Sequence, residues 1–219
     1  TMNSILREVG NTDWITIVIL ISIVFVILAK RMFYSRFLNF MVLPFNNKYL
    51  FIYNKKDILL NWFHIFISAF QIMNLTLFIF YTTNILFNAE LTADPVNYLI
   101  IFGLLVVFFV LKIFIQLGNS FVFDNQKTIT EIIFKKISFM NFSGLVLFLA
   151  NILLTFILPG SKWVILGGIL LVFVINLVGW ITILKNHQKY ISSYFFYFIL
   201  YLCALEISPY ALIVYYVKA

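Results

Sequence analysis

Residues 201–210 read Tyr201-Leu202-Cys203-Ala204-Leu205-Glu206-Ile207-Ser208-Pro209-Tyr210, inside a hydrophobic run from Tyr194 to Val217. A run of that length can cross the ~30 Å hydrocarbon core of a bilayer as one helix. Glu206 lies in its middle. An ionisable group at that depth is costly, so it is expected to face other helices rather than lipid. Pro209 removes a backbone donor and clashes one turn back, which predicts a kink beside the carboxylate. The rest of the chain is then read as the bundle that shelters Glu206.

Composition points the same way. Of 219 residues, 63% are hydrophobic and 11% charged, and the mean hydropathy is +1.05. Soluble domains carry about 25% charged residues, so this is the composition of a polytopic membrane protein. A net charge of +7 would draw attention to nucleic acid in a soluble chain. Here the distribution of loop charges accounts for it, and no nucleic-acid partner is expected. The single cysteine, Cys203, falls within a span, which excludes a disulfide framework and a zinc cluster. No cleavable leader is expected. The first apolar run has no basic flank before it and no small-residue cleavage site after it.

Working back to the start, the hydrophobic runs divide residues 1–219 into one membrane domain with spans at about 14–30, 59–87, 96–117, 139–158, 163–184 and 194–217. Asn11, Thr12 and Asp13 make a helix start before the first. Pro95 sits where the first turn of the third tolerates proline. Pro159-Gly160 stops the fourth. The first connection contains Phe37-Leu38-Asn39-Phe40-Met41-Val42-Leu43-Pro44-Phe45, apolar but too short to span. It is read as interfacial, with the stretch from Leu38 to Phe51 lying along the membrane surface and Asn46-Asn47-Lys48 as a turn. The fold class is therefore all-α: six transmembrane helices with an interfacial segment in the first cytoplasmic loop.

Basic residues set the orientation. Lys30, Arg31, Arg36, Lys48, Lys55, Lys56, Lys127, Lys135, Lys136, Lys185 and Lys189 fall on one side, and Arg7, Lys162 and Lys218 on the other. That bias places both termini outside the cytoplasm, which is the periplasm of a Gram-negative cell. Trp14 and Trp163 then mark the outer interface and Trp62 the inner one.

Arg7-Glu8-Val9 and Asp13-Trp14-Ile15-Thr16 open the chain. Leu43-Pro44-Phe45-Asn46-Asn47-Lys48-Tyr49 and Tyr53-Asn54-Lys55-Lys56-Asp57 lie in the first inner loop, and Phe198 to Tyr210 ends the chain. With these the chain resembles a family of six-span inner-membrane proteins of Bacteroidota catalogued as a domain of unknown function. The resemblance implies a location in the bacterial inner membrane and supplies no catalytic residues. Many bacteria of that group build a type 9 secretion and gliding apparatus, so it also implies a conceivable link to that machinery.

Polar residues inside the spans are the candidate functional positions. Glu206, beside Pro209, reads as a proton-relay, ion-binding or partner-docking carboxylate, or else as a hydrogen-bonded acid that fixes helix packing. Lys112 shares a helical face with Gln116 and Asn119. Pairing with Glu206 would need tilt or the kink, so snorkelling to the inner interface is preferred. In the second span His64, Ser68, Gln71 and Asn74 form another stripe. The two stripes together would line a cavity; taken singly, they are interhelical hydrogen bonds, and that is the plainer account. His64 has no second ligand at metal spacing. Gly168, Asn176 and Gly179 make a face for close helix approach. No nucleophile–base pair, paired carboxylates or dinucleotide fingerprint appears, so no enzyme, cofactor or metal is expected. Two functions remain. One is a non-catalytic component or assembly partner of an envelope complex, bound to other membrane proteins within the lipid bilayer. The other is a small transporter or channel using the intramembrane carboxylate.

Overall fold

The computed structural model describes residues 13–46, 48–53, 61–86, 95–122 and 126–186. Side chains are described throughout these except at Phe51, 116–122, 126–129 and Asn186. The described residues are mainly helical, and no strand occurs among them. The helices are α1 (Asp13–Met32), α2 (Tyr34–Met41), α3 (Lys48–Tyr53), α4 (Trp62–Leu86), α5 (Pro95–Val122), α6 (Gln126–Ile152) and α7 (Lys162–Asn186). Five of them are long and apolar enough to cross a membrane, α6 doing so together with its continuation to Ile157. The sixth expected span, 194–217, lies outside the described residues, and with it Glu206 and Pro209. The chain divides into a unit ending at Gly179 and a second beginning at Trp180, of which the last turns of α7 are described.

Local chemistry explains most of the boundaries. Asp13 opens α1, and Lys30 and Arg31 close it, each charge complementing the helix dipole. Asn61 caps α4: its side-chain Oδ1 accepts from Phe63 N at 3.1 Å and its carbonyl from Ile65 N at 3.1 Å. The helix therefore starts after Asn61, although the apolar run expected from sequence begins at Leu59. Pro95 is the first residue of α5, where its missing N–H costs nothing.

The helix that carries the fourth expected span begins well before it. Hydropathy placed its start near Phe139, but α6 begins at Gln126. Residues 126–143 contain neither glycine nor proline, and Lys135 and Lys136 do not break a helix; they only lower its hydropathy. Ile133 and Phe134 are buried in this added length. At the other end the helix widens into a π turn over Leu153–Ile157, where Leu158 N donates to Leu153 O at 2.7 Å. Pro159 follows and excludes the helical conformation from Leu158, whose φ and ψ are −130° and 64°. Gly160 completes the stop with φ 77°, a conformation that favours glycine.

Helix α4 is the hub. Trp14 meets Phe80 and Phe33 meets Phe63, so α1 runs antiparallel to α4. Ser68 meets Asn141 and Tyr81 meets Thr155, at sequence separations of 73 and 74, so α6 runs parallel to α4. The start of α5 joins the Trp14 end, where Tyr98 packs on Trp14 and donates to Met73 O at 3.5 Å. Gly168 lies beside Ala150 and Gly179 beside Phe139, so α7 is antiparallel to α6. Successive long helices thus reverse direction, as consecutive membrane crossings must.

The segment expected at the interface folds as α2, a turn and α3. Asn46 Oδ1 accepts from Lys48 N at 2.9 Å at the start of α3. Phe40, Leu43, Tyr49 and Leu50 are fully buried against the Phe63 end of α4 and the first half of α6. Leu38, Met41, Val42 and Phe45 point outward, Phe45 at 90% exposure.

Candidate functional site

The seam between α4 and α6 holds most of the polar chemistry. Four polar α4 residues read from the sequence, His64, Ser68, Gln71 and Asn74, recur every three or four positions and so occupy one helix face. All but half-buried Ser68 are buried. Each meets a different partner.

At the Phe63 end, Tyr49 OH lies 3.3 Å from His64 Nε2. The His64 ring stands edge-on to Phe134 at 4.9 Å, and Tyr49 stacks on Phe134 at 6.0 Å. Arg36 of α2, itself buried, places its guanidinium 4.8 Å from the Tyr53 ring centre and 5.1 Å from that of Phe63. A guanidinium over aromatic faces is favourable by ~0.5–2 kcal/mol, so α2 is held down by charge and π density as well as by apolar area.

One turn along, Ser68 and Asn141 exchange hydrogen bonds, Ser68 Oγ donating to Oδ1 at 3.2 Å and Asn141 Nδ2 donating to Oγ at 2.9 Å. Gln71 then packs on Gly144. A Cβ there would fall 2.9 Å from Gln71 Cβ and 3.0 Å from its Cα, so only glycine lets the two backbones come this close. Beyond it Asn151 Nδ2 donates to Asn74 O at 2.9 Å and to Asn74 Oδ1 at 3.3 Å, while Asn74 Nδ2 donates back along its own helix to Phe70 O at 2.9 Å. The seam ends where Tyr81 OH and Thr155 Oγ1 lie 2.8 Å apart, Thr155 donating to Asn151 O at 2.7 Å. Thr155 belongs to the π turn, a feature often found at functional positions. Two carboxamide oxygens in this seam, Gln71 Oε1 and Asn151 Oδ1, are buried without a hydrogen-bond partner.

The stripe on α4 and Lys112 on α5 have different neighbours. The α4 stripe faces α6. Lys112 is half-buried on α5, its Nζ 5.7 Å from the Phe108 ring centre, and it lies near Lys136 of α6. Gln116 lies on the α5 backbone, with its side chain outside the described residues. Glu206 and Pro209 are outside them altogether, and with them the alternative in which Lys112 pairs with Glu206.

On α7 the glycine face is real. A Cβ at Gly168 would meet the Phe78 ring at 2.9 Å, and one at Gly179 the Phe139 side chain at 2.7 Å, whereas Gly167 has nothing within 4 Å. Asn176 donates to Val172 O of its own helix at 2.8 Å.

Sequence reasoning missed Arg36, Tyr49, Asn141, Gly144, Asn151, Thr155 and Lys136 as members of these contacts. For α6 the signal was present: Ser138, Asn141, Gly144, Asn151 and Thr155 are small or polar positions at helical spacing in an otherwise apolar run. Among the described residues no cluster of three His, Cys, Asp or Glu side chains could hold a metal ion.

A family model described as a domain of unknown function, DUF4271, matches residues 15–217, and the chain belongs to that family. No curated protein and no solved structure matches the chain.

Proposed function

We propose, from the premise that this is a DUF4271 protein with several helices able to span a membrane, that it is a non-catalytic integral component or assembly partner of a bacterial envelope complex. One observation carries this reading. The polar residues of the central helix are engaged with α6 inside the chain, by the Ser68–Asn141, Asn74–Asn151 and Tyr81–Thr155 contacts. Such bonds fasten a bundle, whereas a conduction path needs polar groups facing an open route. In this reading six spans lie in the inner membrane with both termini periplasmic, α2 and α3 rest along the cytoplasmic surface, and Glu206 with Pro209 docks a neighbouring membrane protein. The complex sought first is the type 9 secretion or gliding apparatus.

Co-purification from native membranes tests the proposal. A stable stoichiometric complex is expected, lost on Glu206→Leu and kept on Glu206→Gln, which preserves shape and hydrogen bonding. A lone protein after mild solubilisation defeats it. Topology is tested separately: a C-terminal alkaline phosphatase fusion at Ala219 should be active, and a fluorescent fusion there that glows overturns the orientation.

The second reading is a small transporter or channel that uses Glu206. It is favoured by the two buried carboxamide oxygens of Gln71 and Asn151, since buried polar atoms in a seam call for water or an ion. In that case Glu206→Gln abolishes flux into vesicles while leaving complex formation intact.

A further inference from the structure

α1 is 20 residues long, and at ~1.5 Å per residue it is used up in crossing a ~30 Å hydrocarbon core. It ends at Met32, and Phe33 leaves the helical conformation with φ and ψ at −135° and 53°. α2 therefore begins at the boundary of the core. It stays against the bundle: Phe33 meets Phe63, and Phe40, two turns on, meets Phe63 again together with Phe142 of α6.

The eight residues of α2 sort into three directions, not two. Arg36, Phe37 and Phe40 are buried against the bundle. Ser35 and Asn39 form a polar edge, where Asn39 Nδ2 donates to Ser35 O at 2.9 Å. Tyr34, Leu38 and Met41 form the third side, exposed and apolar. At 3.6 residues per turn the three sets point roughly 120° apart. A helix on the rim of a soluble core needs only a buried side and a wet side. The third calls for an apolar medium beside the bundle, and the turn after α2 adds exposed Val42 and Phe45. Charge selects the medium. Lys30 and Arg31 before α2, and Lys48 after the turn, are exposed, and no acidic residue occurs between 14 and 56. Apolar side chains flanked by cations alone match the boundary between acyl chains and anionic head groups.

We propose, on the reading above that α2 and α3 lie along a membrane surface, that this segment is a docking surface for anionic phospholipid. Tyr34, Leu38, Met41 and Phe45 sink among the acyl chains, while Lys30, Arg31 and Lys48 hold the phosphates. Ser35 and Asn39 face water.

The test uses the full chain in nanodiscs of phosphatidylcholine, alone or mixed equally with phosphatidylglycerol. Leu38→Cys, Phe45→Cys and Asn39→Cys, each on a Cys203→Ala background, carry an environment-sensitive fluorophore. Labels at 38 and 45 should be quenched by a spin label on the lipid chain, and the label at 39 by iodide from water. Iodide reaching 38 and 45 as readily as 39 overturns the surface placement and the proposal with it. Labels at 38 and 45 that neither quencher reaches are covered by protein, which overturns it too. Lipid retained by the unlabelled protein on release from mixed discs is counted by native mass spectrometry. Phosphatidylglycerol should be retained in preference, and Lys30→Gln, Arg31→Gln and Lys48→Gln together should cut that preference about fivefold or more. Equal retention of both lipids by the wild-type protein, or a triple variant that keeps the preference, leaves the placement and overturns the anionic ligand. A protein that purifies alone, or whose Ala219 fusion reports reversed termini, changes none of these outcomes, because a disc presents both faces of the bilayer.

Discussion

Helices α4 and α5 are 25 and 28 residues long and both are mainly apolar, yet 56% of the α4 span is buried in the bundle and 6% of the α5 span. α4 is the least apolar of the five spans and α5 the most. The order holds across all five: ranked by hydropathy, the spans stand in the reverse order of their burial. In water the most apolar helix would go to the centre. In a bilayer lipid tails solvate leucine as well as another helix does, so apolarity gives no reason to be inside. What draws a helix inward is polar or small side chains that lipid cannot satisfy. α4 has them in Ser68, Gln71 and Asn74; the outward positions of α5, such as Leu104, Val107 and Phe114, do not.

Glycine substitutions probe this difference most strongly. Gly144→Val in the seam would drive a side chain into the Gln71 backbone and should destabilise by about 1–3 kcal/mol or more. Gly103→Val on α5 meets nothing within 4 Å of its Cβ and should stay within about 0.5 kcal/mol. Reversible unfolding in mixed micelles with increasing dodecyl sulfate measures both, and equal losses at the two sites would break the comparison. Gly179→Ala and Gly167→Ala repeat the experiment within one helix, the first meeting Phe139 and the second open space.

Hydrogen bonds in the seam come next. Asn151→Leu removes both donations to Asn74 and should cost about 0.6–1.7 kcal/mol, the range for such bonds in membrane proteins. A gain in stability would mean that packing alone holds α4 to α6. At the Phe63 end, Tyr49→Phe keeps the ring stacked on Phe134 and deletes the hydroxyl that contacts His64. A loss of about 0.5–1.5 kcal/mol is expected, with faster hydrogen exchange across 48–53 as the local sign that α3 has loosened. The smallest effect belongs to Leu104→Ala on the outward face of α5, where a lipid tail replaces what is removed. A change under about 0.5 kcal/mol is expected in the same unfolding assay, and a loss like that at Asn151 would place an unrecognised partner there.

Much of the architecture was legible from residues alone because a membrane span is a local property. Length and hydropathy pointed to the apolar helices α1, α4, α5 and α7, with Asp13 and Pro95 marking the starts of α1 and α5 and Pro159-Gly160 the end of the helix that begins as α6. The helix that carries the fourth expected span starts earlier than the apolar run, because hydropathy measures where lipid can lie, not where a helix begins; residues 126–138 are helical and charged at once. The stripe His64, Ser68, Gln71 and Asn74 was legible because its spacing depends on one helix only.

Partners are a different matter, since they require the relative rotation of two helices, and no periodicity within one segment encodes that. Asn141, Gly144 and Asn151 meet the α4 stripe only because α6 runs parallel to α4 and turns its small and polar face inward. Lys112 and Lys136 were assigned singly, one as a snorkelling residue and one as a loop charge. Their proximity depends on α5 packing against α6. Likewise Tyr49, fifteen residues from His64, reaches it only because the turn before α3 folds the chain back onto the bundle. What the sequence by itself determined was therefore the set of apolar segments and their alternating direction, since transfer into lipid acts on each segment alone. Tertiary structure decided which helix is central and which polar groups pair, because those depend on contacts that exist only after the helices have assembled.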